Sequence, residues 1–311
     1  MKYAIVSDIH GNLPALELVM ADALQRGANA FLFAGDYCTS APWGDEVVST
    51  LRTAFPALCV RGNEENHLRM PPGTDGQFAV TYWSASKLSA ENRSWLDALP
   101  ERVNFTCDGV AIHMTHSSAV FIGNAEHEPF RTSLLPLRYP DGPVNHEDLL
   151  QDIYRTLDAN PAFHETLRTL PAGVYIFGHS HSQWHARFGN HLFINPGSCG
   201  LPLECGAFGA PYTLLTIENG QCSVEERRIP YDREALIAQV KQTDQYNAAR
   251  VWSEVIFREW RTCREHVIFF LRHAEKYARR IGDERRPFAP DTWEAAYEEW
   301  AEIENPHMEA P

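Results

Sequence analysis

The chain has 311 residues and a formal net charge of −14, with 41 acidic against 27 basic side chains. This charge repels polyanions and argues against a stable nucleic-acid partner, although a small phosphorylated substrate is compatible with it because bound cations reverse the local field. No apolar run approaches the ~20 residues that a membrane helix needs, and the first residues have the pattern of a strand rather than the charged and apolar regions of a signal peptide. The seven cysteines form no C-x-x-C pair, so we expect reduced thiols and a cytoplasmic location.

Short apolar runs alternate with helical patterns through the first two thirds of the chain. The predicted strands cover residues 2–7, 30–34, 57–60, 110–114, 174–177 and 193–195, followed by a hairpin around Asn219 and Gly220. Asn12 is placed to cap a helix with Pro14 in its first turn, or alternatively to donate a hydrogen bond to a phosphate. Strand–helix alternation predicts an α/β fold whose mostly parallel sheet is covered by helices on both faces.

Two segments interrupt this alternation. Residues 120–170 are typical of a cap-like insertion within a main domain that spans 1–230. The extension 231–311 is helical: apolar spacings of three and four from Trp252 to Ala278 predict one long amphipathic helix, and a last helix opens near its end. We expect the insertion and the extension to form a lid or wall beside the site. The apolar surface of the extension is also sufficient for a homodimer.

Side chains that commonly bind metals follow one predicted strand after another. They are Asp8, His10, Asp36, Asn63, His116, His179 and His181. In open α/β sheets the ligand site lies outside the carboxyl ends of the strands, so we expect these residues to converge on one crevice. Imidazole, carboxylate and amide ligands together suit Mn, Fe or Zn better than Ca or a thiolate-preferring ion. The sequence therefore predicts a metal site, in which Asp36 has two oxygens with which to bridge neighbouring ions.

The motifs that contain these residues resemble those of the calcineurin-like metallophosphoesterase superfamily. They are SDIHGN at 7–12, GDYC at 35–38, RGNEE at 61–65, TH at 115–116, GHSH at 178–181 and INPGS at 194–198. The opening, the GDYC and RGNEE segments and the helical extension are also similar to a bacterial subfamily of uncharacterised metallophosphoesterases. The resemblance implies a four-layer α/β/β/α sandwich with a cap insertion and a helical C-terminal extension.

The resemblance also implies two divalent metal ions. It assigns Asp8, His10 and His181 to one ion, Asn63, His116 and His179 to the other, and Asp36 to both as a bridge. In such a centre no side chain is the nucleophile. A water that bridges the ions, with its pKa lowered towards ~7, attacks phosphorus instead.

The sequence departs from the motifs of the family at two positions. The histidine that usually follows Gly-Asn and protonates the leaving group is Glu64 here. His116 is followed by Ser117 and has His113 as a competitor, but we favour His116 because it stands at the end of a strand. An ionised Glu64 repels a monoester dianion and donates no proton, which favours diesters. In the alternative interpretation, Glu64 turns away and hydrogen-bonds the backbone near Asn63.

These features predict an enzyme that hydrolyses a phosphodiester or phosphoanhydride, nucleotide-derived substrates included, with Asp36, Asn63, Glu64 and His116 as catalytic residues. One alternative is a Ser/Thr-type protein phosphatase or phosphomonoesterase, which Glu64 disfavours. Another is a binding scaffold without turnover, against which the complete set of ligands argues. The lack of a G-x-S-x-G context around the candidate serines argues against a serine hydrolase.

Overall fold

The computed structural model describes residues 1–54, 56–123, 135–140, 144–206 and 208–308, of which 304–308 are described as backbone. The strands within these ranges are β1 (Lys2–Val6), β2 (Ala30–Phe33), β3 (Ala57–Cys59), β4 (Arg102–Cys107), β5 (Val110–Thr115), β6 (Gly173–Ile176), β7 (Gln183–Phe188), β8 (His191–Pro196), β9 (Ala210–Glu218) and β10 (Gln221–Ile229). They form two five-stranded sheets, in the orders β10-β9-β1-β2-β3 and β4-β5-β6-β8-β7.

Helices connect these strands and continue beyond them. Those before β9 are α1 (Leu13–Gln25), α2 (Gly44–Thr53), α3 (Asn63–His67), α4 (Ala79–Lys87), α5 (Ala90–Ala98), α6 (Ala119–Ile122), α7 (Leu135–Arg138), α8 (His146–Asp158) and α9 (Pro161–Thr169). Those after β10 are α10 (Arg233–Val240), α11 (Asp244–Ala248), α12 (Arg250–Thr262), α13 (Val267–Ile281) and α14 (Pro290–Met308).

Parallel strands form the centre of each sheet and set the position of the loops that follow them. In the first sheet β1, β2 and β3 are parallel, with Val6 opposite Phe33. In the second, β5, β6 and β8 are parallel, with Met114 opposite Ile176 and Ile176 opposite Ile194. This register aligns the carboxyl ends of the strands, so the loops after them emerge side by side.

The two sheets pack face to face and are covered by helices outside, which confirms the predicted α/β/β/α sandwich. Aliphatic residues such as Ile5, Leu32, Met114 and Ile194 fill the space between the sheets and are fully buried. Helices α1, α2 and α5 pack on the outer face of the first sheet. Helices α8 and α9, from the predicted insertion, pack on the outer face of the second. Residues 124–134 and 141–143 of that insertion lie outside the described residues.

Most predicted strands lie where the sequence placed them, but one predicted helix is wrong. The long helix expected from residue 252 to 278 is two helices, α12 and α13, separated at Cys263, whose φ of 49° is left-handed. The Glu259 carboxylate stabilises the break, because its Oε1 accepts hydrogen bonds from the backbone N–H groups of His266 and Val267 at 2.8 and 2.9 Å. Side-chain capping of this kind satisfies the backbone N–H groups at the start of the next helix. The spacing of apolar residues carries no information about such a cap. Strands β4 and β7 were not predicted.

The C-terminal helices pack on the loops that follow β2 and β8. Ile256, Phe257 and Trp260 of α12 are buried against Ala41 and Leu201 of these loops. No helix in the described part of the chain is both long and apolar enough to cross a membrane.

Removing buried volume at this junction is expected to destabilise the protein. Ile256 is fully buried, so Ile256→Ala should lower the free energy of unfolding by about 2–5 kcal/mol, because it removes apolar contacts and leaves a cavity. Ile281 is 53% exposed, and Ile281→Ala is the matched control, with an expected change within about 0.5 kcal/mol. Denaturant unfolding measures both. Equal small effects would show that α12 does not pack on the sandwich in solution.

Candidate metal centre

The predicted ligands stand on loops with a strained backbone. Five of them have a left-handed φ: Asp8 (52°), His10 (51°), Asp36 (57°), His179 (69°) and His181 (56°). Such a conformation costs on the order of 1–3 kcal/mol for a non-glycine residue, and it persists where surrounding contacts enforce it, most often at functional sites. Here the loops enforce it on one another: the backbone N–H of Asp8 donates to Gly35 O at 3.0 Å, and that of His10 donates to Asp36 O at 3.1 Å.

The first group of ligands comprises Asp8, His10 and His181, whose candidate ligand atoms lie within 4.8 Å of one another. The Nε2 atoms of His10 and His181 are 3.1 Å apart, and His181 Nε2 lies 3.4 Å from Asp8 Oδ1. His181 Nδ1 is 2.8 Å from the carbonyl oxygen of Leu201, which can only accept, so Nδ1 carries the hydrogen. A neutral His181 therefore directs the lone pair of Nε2 into the group.

The second group comprises Asp36, His116 and His179, again within 4.8 Å, and Asn63 adjoins it. His116 Nε2 lies 3.2 Å from Asp36 Oδ2 and 3.0 Å from Asn63 Oδ1. His116 Nδ1 is 2.8 Å from the Ala34 carbonyl oxygen and so carries the hydrogen in the neutral ring. Three acceptor atoms then face one another. Asp36 lies in this group with His116 and His179, and its other oxygen, Oδ1, accepts the backbone N–H of Glu64 at 2.8 Å. Oδ2 is therefore the oxygen available for the predicted bridge.

Both groups require a positive charge among their acceptors. Burial opposes a charge on His116, but the Asp36 carboxylate outweighs it and raises the pKa of His116 to about 10. Burial likewise opposes ionisation of Asp36 and Asp8, but His116 lowers the pKa of Asp36 and His181 lowers that of Asp8. Burial and the neighbouring His181 both lower the pKa of His10. Two buried carboxylates thus stay ionised, and their lone pairs together with those of the imidazoles fit divalent cations, which displace protons from such sites.

Glycines permit the close approach of the loops. A Cβ on Gly62 would lie 2.1 Å from Asp36 Oδ1, and one on Gly178 would lie 2.4 Å from Asp8 Oδ2. Real Cβ atoms do not approach other atoms so closely, so a side chain at either position would displace a ligand.

Sequence reasoning missed Glu65, which joins two of the loops. Its buried carboxylate accepts the backbone N–H groups of Asp36 and Gly62 through Oε2, at 3.0 and 2.8 Å, and that of Tyr37 through Oε1 at 2.8 Å. Burial, and then repulsion from Asp36, raise the pKa of Glu65 to about 7. The available signal was a helix start at Gly62 with Glu65 three residues later, the spacing of a capping box.

The INPGS segment has a similar structural role. Ser198 Oγ donates to Asp8 O at 2.7 Å and accepts from the Leu201 backbone at 2.8 Å. Asn195 Nδ2 donates to Gly178 O at 3.0 Å and lies 2.9 Å from Ser180 Oγ. Asn195 thus links the end of β8 to the loop that carries His179 and His181, and Ser198 links the segment after β8 to the loop after β1.

The extension contributes two buried hydrogen bonds to the same loops, which sequence reasoning also missed. Trp260 Nε1 donates to Gly200 O at 2.8 Å, and Gly200 N donates to Asp8 O at 3.0 Å. Gln245 Nε2 donates to Ser40 O at 3.2 Å. No sequence pattern links these residues, because they are far apart along the chain.

The contacts of the other three candidates, Glu64, His113 and Asn12, indicate their roles. The Glu64 carboxylate bonds to side chains: it accepts from the Thr39 hydroxyl at 3.1 Å and from the Asn63 amide at 3.3 Å. His113 lies outside both groups, with its Nδ1 2.7 Å from Asn104 Oδ1. Asn12 caps α1 through Oδ1, and its Nδ2 donates to Gly200 O at 3.1 Å. Both polar atoms of the side chain thus have partners within the protein, and Asn12 is fully buried, which favours the capping role over phosphate binding.

Substitution of Gly62 tests the packing of these loops. Gly62→Ala should lower the free energy of unfolding by about 1–3 kcal/mol, because the new methyl group overlaps Asp36. Gly44→Ala is the control, since a Cβ there would meet Cys38 Cβ at 3.3 Å and needs only a small adjustment. If denaturant unfolding gave the two variants the same stability as wild type, the close contact of Gly62 with Asp36 would be refuted.

Known proteins are similar to this chain in sequence and in fold. Residues 1–220 match the calcineurin-like phosphoesterase superfamily domain. An uncharacterised protein of Methanocaldococcus jannaschii is 26% identical over 249 residues, which cover 74% of this chain and 87% of that protein. A metallophosphoesterase from Sphaerobacter thermophilus superposes with a TM-score of 0.58 at 21% identity, covering 85% of this chain and all of that one. A hypothetical protein from Pyrococcus horikoshii gives a TM-score of 0.58 at 16% identity, covering 82% of this chain and 97% of that one.

The two solved structures establish the likeness of fold, and the domain match covers most of the chain, including every predicted ligand. This protein belongs to the calcineurin-like phosphoesterase superfamily.

Proposed function

We propose that this phosphoesterase hydrolyses phosphodiesters or phosphoanhydrides, nucleotide-derived substrates included, with two divalent ions of Mn, Fe or Zn at the metal centre. One observation carries the proposal: two adjacent groups of acceptor atoms, each with a buried, ionised carboxylate and two imidazoles, converge at the ends of parallel strands. Asp8, His10 and His181 would hold one ion. Asn63, His116 and His179 would hold the other, with Asp36 as the bridge.

Two such ions would neutralise charge on phosphate oxygens and lower the pKa of a bound water to make a nucleophile at neutral pH. The residues of the chain orient these ligands. The carbonyls of Ala34 and Leu201 fix the tautomers of His116 and His181. The Glu64 carboxylate accepts a hydrogen bond from the Asn63 amide N–H, so that Asn63 Oδ1 faces His116.

The position of Glu64 supports a diester or anhydride over a monoester dianion. The Glu64 side chain is 20% exposed and its carboxylate contacts Asn63 directly, so an ionised Glu64 places negative charge next to the second group. A monoester dianion carries more charge than a diester and is repelled more strongly.

Loss of charge at Asp36 is expected to abolish turnover. Asp36→Asn should bind less metal and lose activity, because a neutral amide cannot bridge two cations, while unfolding remains cooperative. Asp108→Asn, in the β4–β5 turn, is the matched control and should keep both properties. Metal analysis and turnover of a chromogenic diester with Mn²⁺ measure the effect. Turnover like wild type in Asp36→Asn would contradict the two-ion assignment.

Substitution of Glu64 tests the substrate class. Wild type should hydrolyse a nitrophenyl diester better than the matching monoester. Glu64→His should shift the ratio towards the monoester by about tenfold, because it removes the repulsion and adds an acid, and a well-positioned acid contributes roughly 10²–10⁴ in rate. Metal analysis confirms that both enzymes are loaded. An unchanged ratio would mean that position 64 does not set the preference.

A further inference from the structure

The Glu64 carboxylate links the buried ligands to a more exposed histidine. His67 ends α3, three residues after Glu64, and its Nδ1 lies 3.3 Å from Glu64 Oε1. The same Oε1 accepts from the Asn63 amide, and Oε2 accepts from the Thr39 hydroxyl. Contacts therefore run without a gap from His116 in the buried cluster through Asn63 and Glu64 to His67.

This contact fixes the orientation of the His67 imidazole. An ionised carboxylate only accepts hydrogen bonds, so Nδ1 donates to Glu64 and Nε2 points away from it. The ring of Phe78 lies beside the imidazole, with centroids 6.5 Å apart. The His67 side chain is 45% exposed, and within the described ranges its Nε2 has no hydrogen-bond partner. Nε2 is thus available to an atom that arrives from solvent.

The charges around His67 favour its protonated form. The hydrogen bond that His67 donates to Glu64 outweighs partial burial and raises the pKa of His67, and the negative charges of Asp36 and Glu65 act in the same direction. A carboxylate that orients an imidazole through Nδ1 and stabilises its cation leaves Nε2–H free for proton transfer, as in the acid–base pairs of hydrolases.

We propose that His67 is the general acid of the reaction and protonates the leaving group, with Glu64 as its positioning residue. As the P–O bond breaks, its electron pair stays on the leaving oxygen and the proton of His67 Nε2 moves to that oxygen. The neutral imidazole then regains a proton from water. This inference rests on the proposed function and deepens it, because it supplies a proton donor that Glu64, as a carboxylate, is not.

A purely structural role for the pair makes a different prediction. An i, i+3 ion pair on a helix surface would only stabilise α3, and its loss would affect all substrates alike. A general acid matters in proportion to the basicity of the leaving group, because a good leaving group departs without a proton. Dependence on the leaving group therefore separates the two roles.

The test compares two diesters, ethyl phenyl phosphate and ethyl 2,4-dinitrophenyl phosphate, with Mn²⁺-loaded wild type and His67→Gln. His113→Gln is the control, since His113 lies outside both ligand groups. We expect His67→Gln to lower kcat/KM for the phenyl ester about 100-fold and to change little for the dinitrophenyl ester. His113→Gln should match wild type on both. Bound metal, measured by elemental analysis, should be the same in all three proteins.

Equal losses on both esters, no loss on either, or depleted metal in His67→Gln would overturn the assignment of His67. A wild type that is metal-loaded and hydrolyses neither ester would instead overturn the proposed diester hydrolysis, and the role of His67 with it. The metal content and the wild-type rates thus separate failure of the inference from failure of the function on which it rests.

Discussion

The convergence of buried acceptor atoms that require a cation or a proton between them is the constraint on which this structure depends. His116 Nε2, Asp36 Oδ2 and Asn63 Oδ1 face one another at 3.0–3.2 Å, and His10 and His181 do so at 3.1 Å. Lone pairs at these distances repel unless a cation or a proton lies among them. The fold maintains this unfavourable arrangement together with a left-handed backbone at five predicted ligands. Such local cost is typical of a site whose geometry serves a ligand rather than folding.

Contacts between the loops maintain this geometry. Glu65 binds the backbone of the loops after β2 and β3, whereas Ser198 binds the loop after β1. Trp260 and Gln245 attach the extension to the loops after β8 and β2. The helical extension therefore contacts the site through its supporting backbone, so its packing and the position of the ligands are physically linked.

The sequence was sufficient to predict the parts of the molecule that repeat a local pattern. Buried strands and the residues at their carboxyl ends follow from apolar runs, which is why Asp8, Asp36 and His116 could be placed together across more than a hundred residues. The break at Cys263 was not predictable, because it depends on capping by Glu259 from the preceding turn. Contacts such as that of Trp260 with Gly200 depend on tertiary packing, for which one sequence carries no signal.

The predicted ligand side chains indicate the chemistry of the site but not the identity of the substrate. The side chains at the strand ends suit divalent cations, whereas selectivity for a substrate depends on the groups around them. Glu64 contacts the predicted ligand Asn63, and His67 contacts Glu64. The central claim is that two ions bind side by side. Titration with Mn²⁺ followed by electron paramagnetic resonance tests it most directly, because ions about 3.5–4 Å apart are magnetically coupled. Two equivalents per chain with a coupled spectrum are expected; a single equivalent, or two uncoupled ions, would contradict the account.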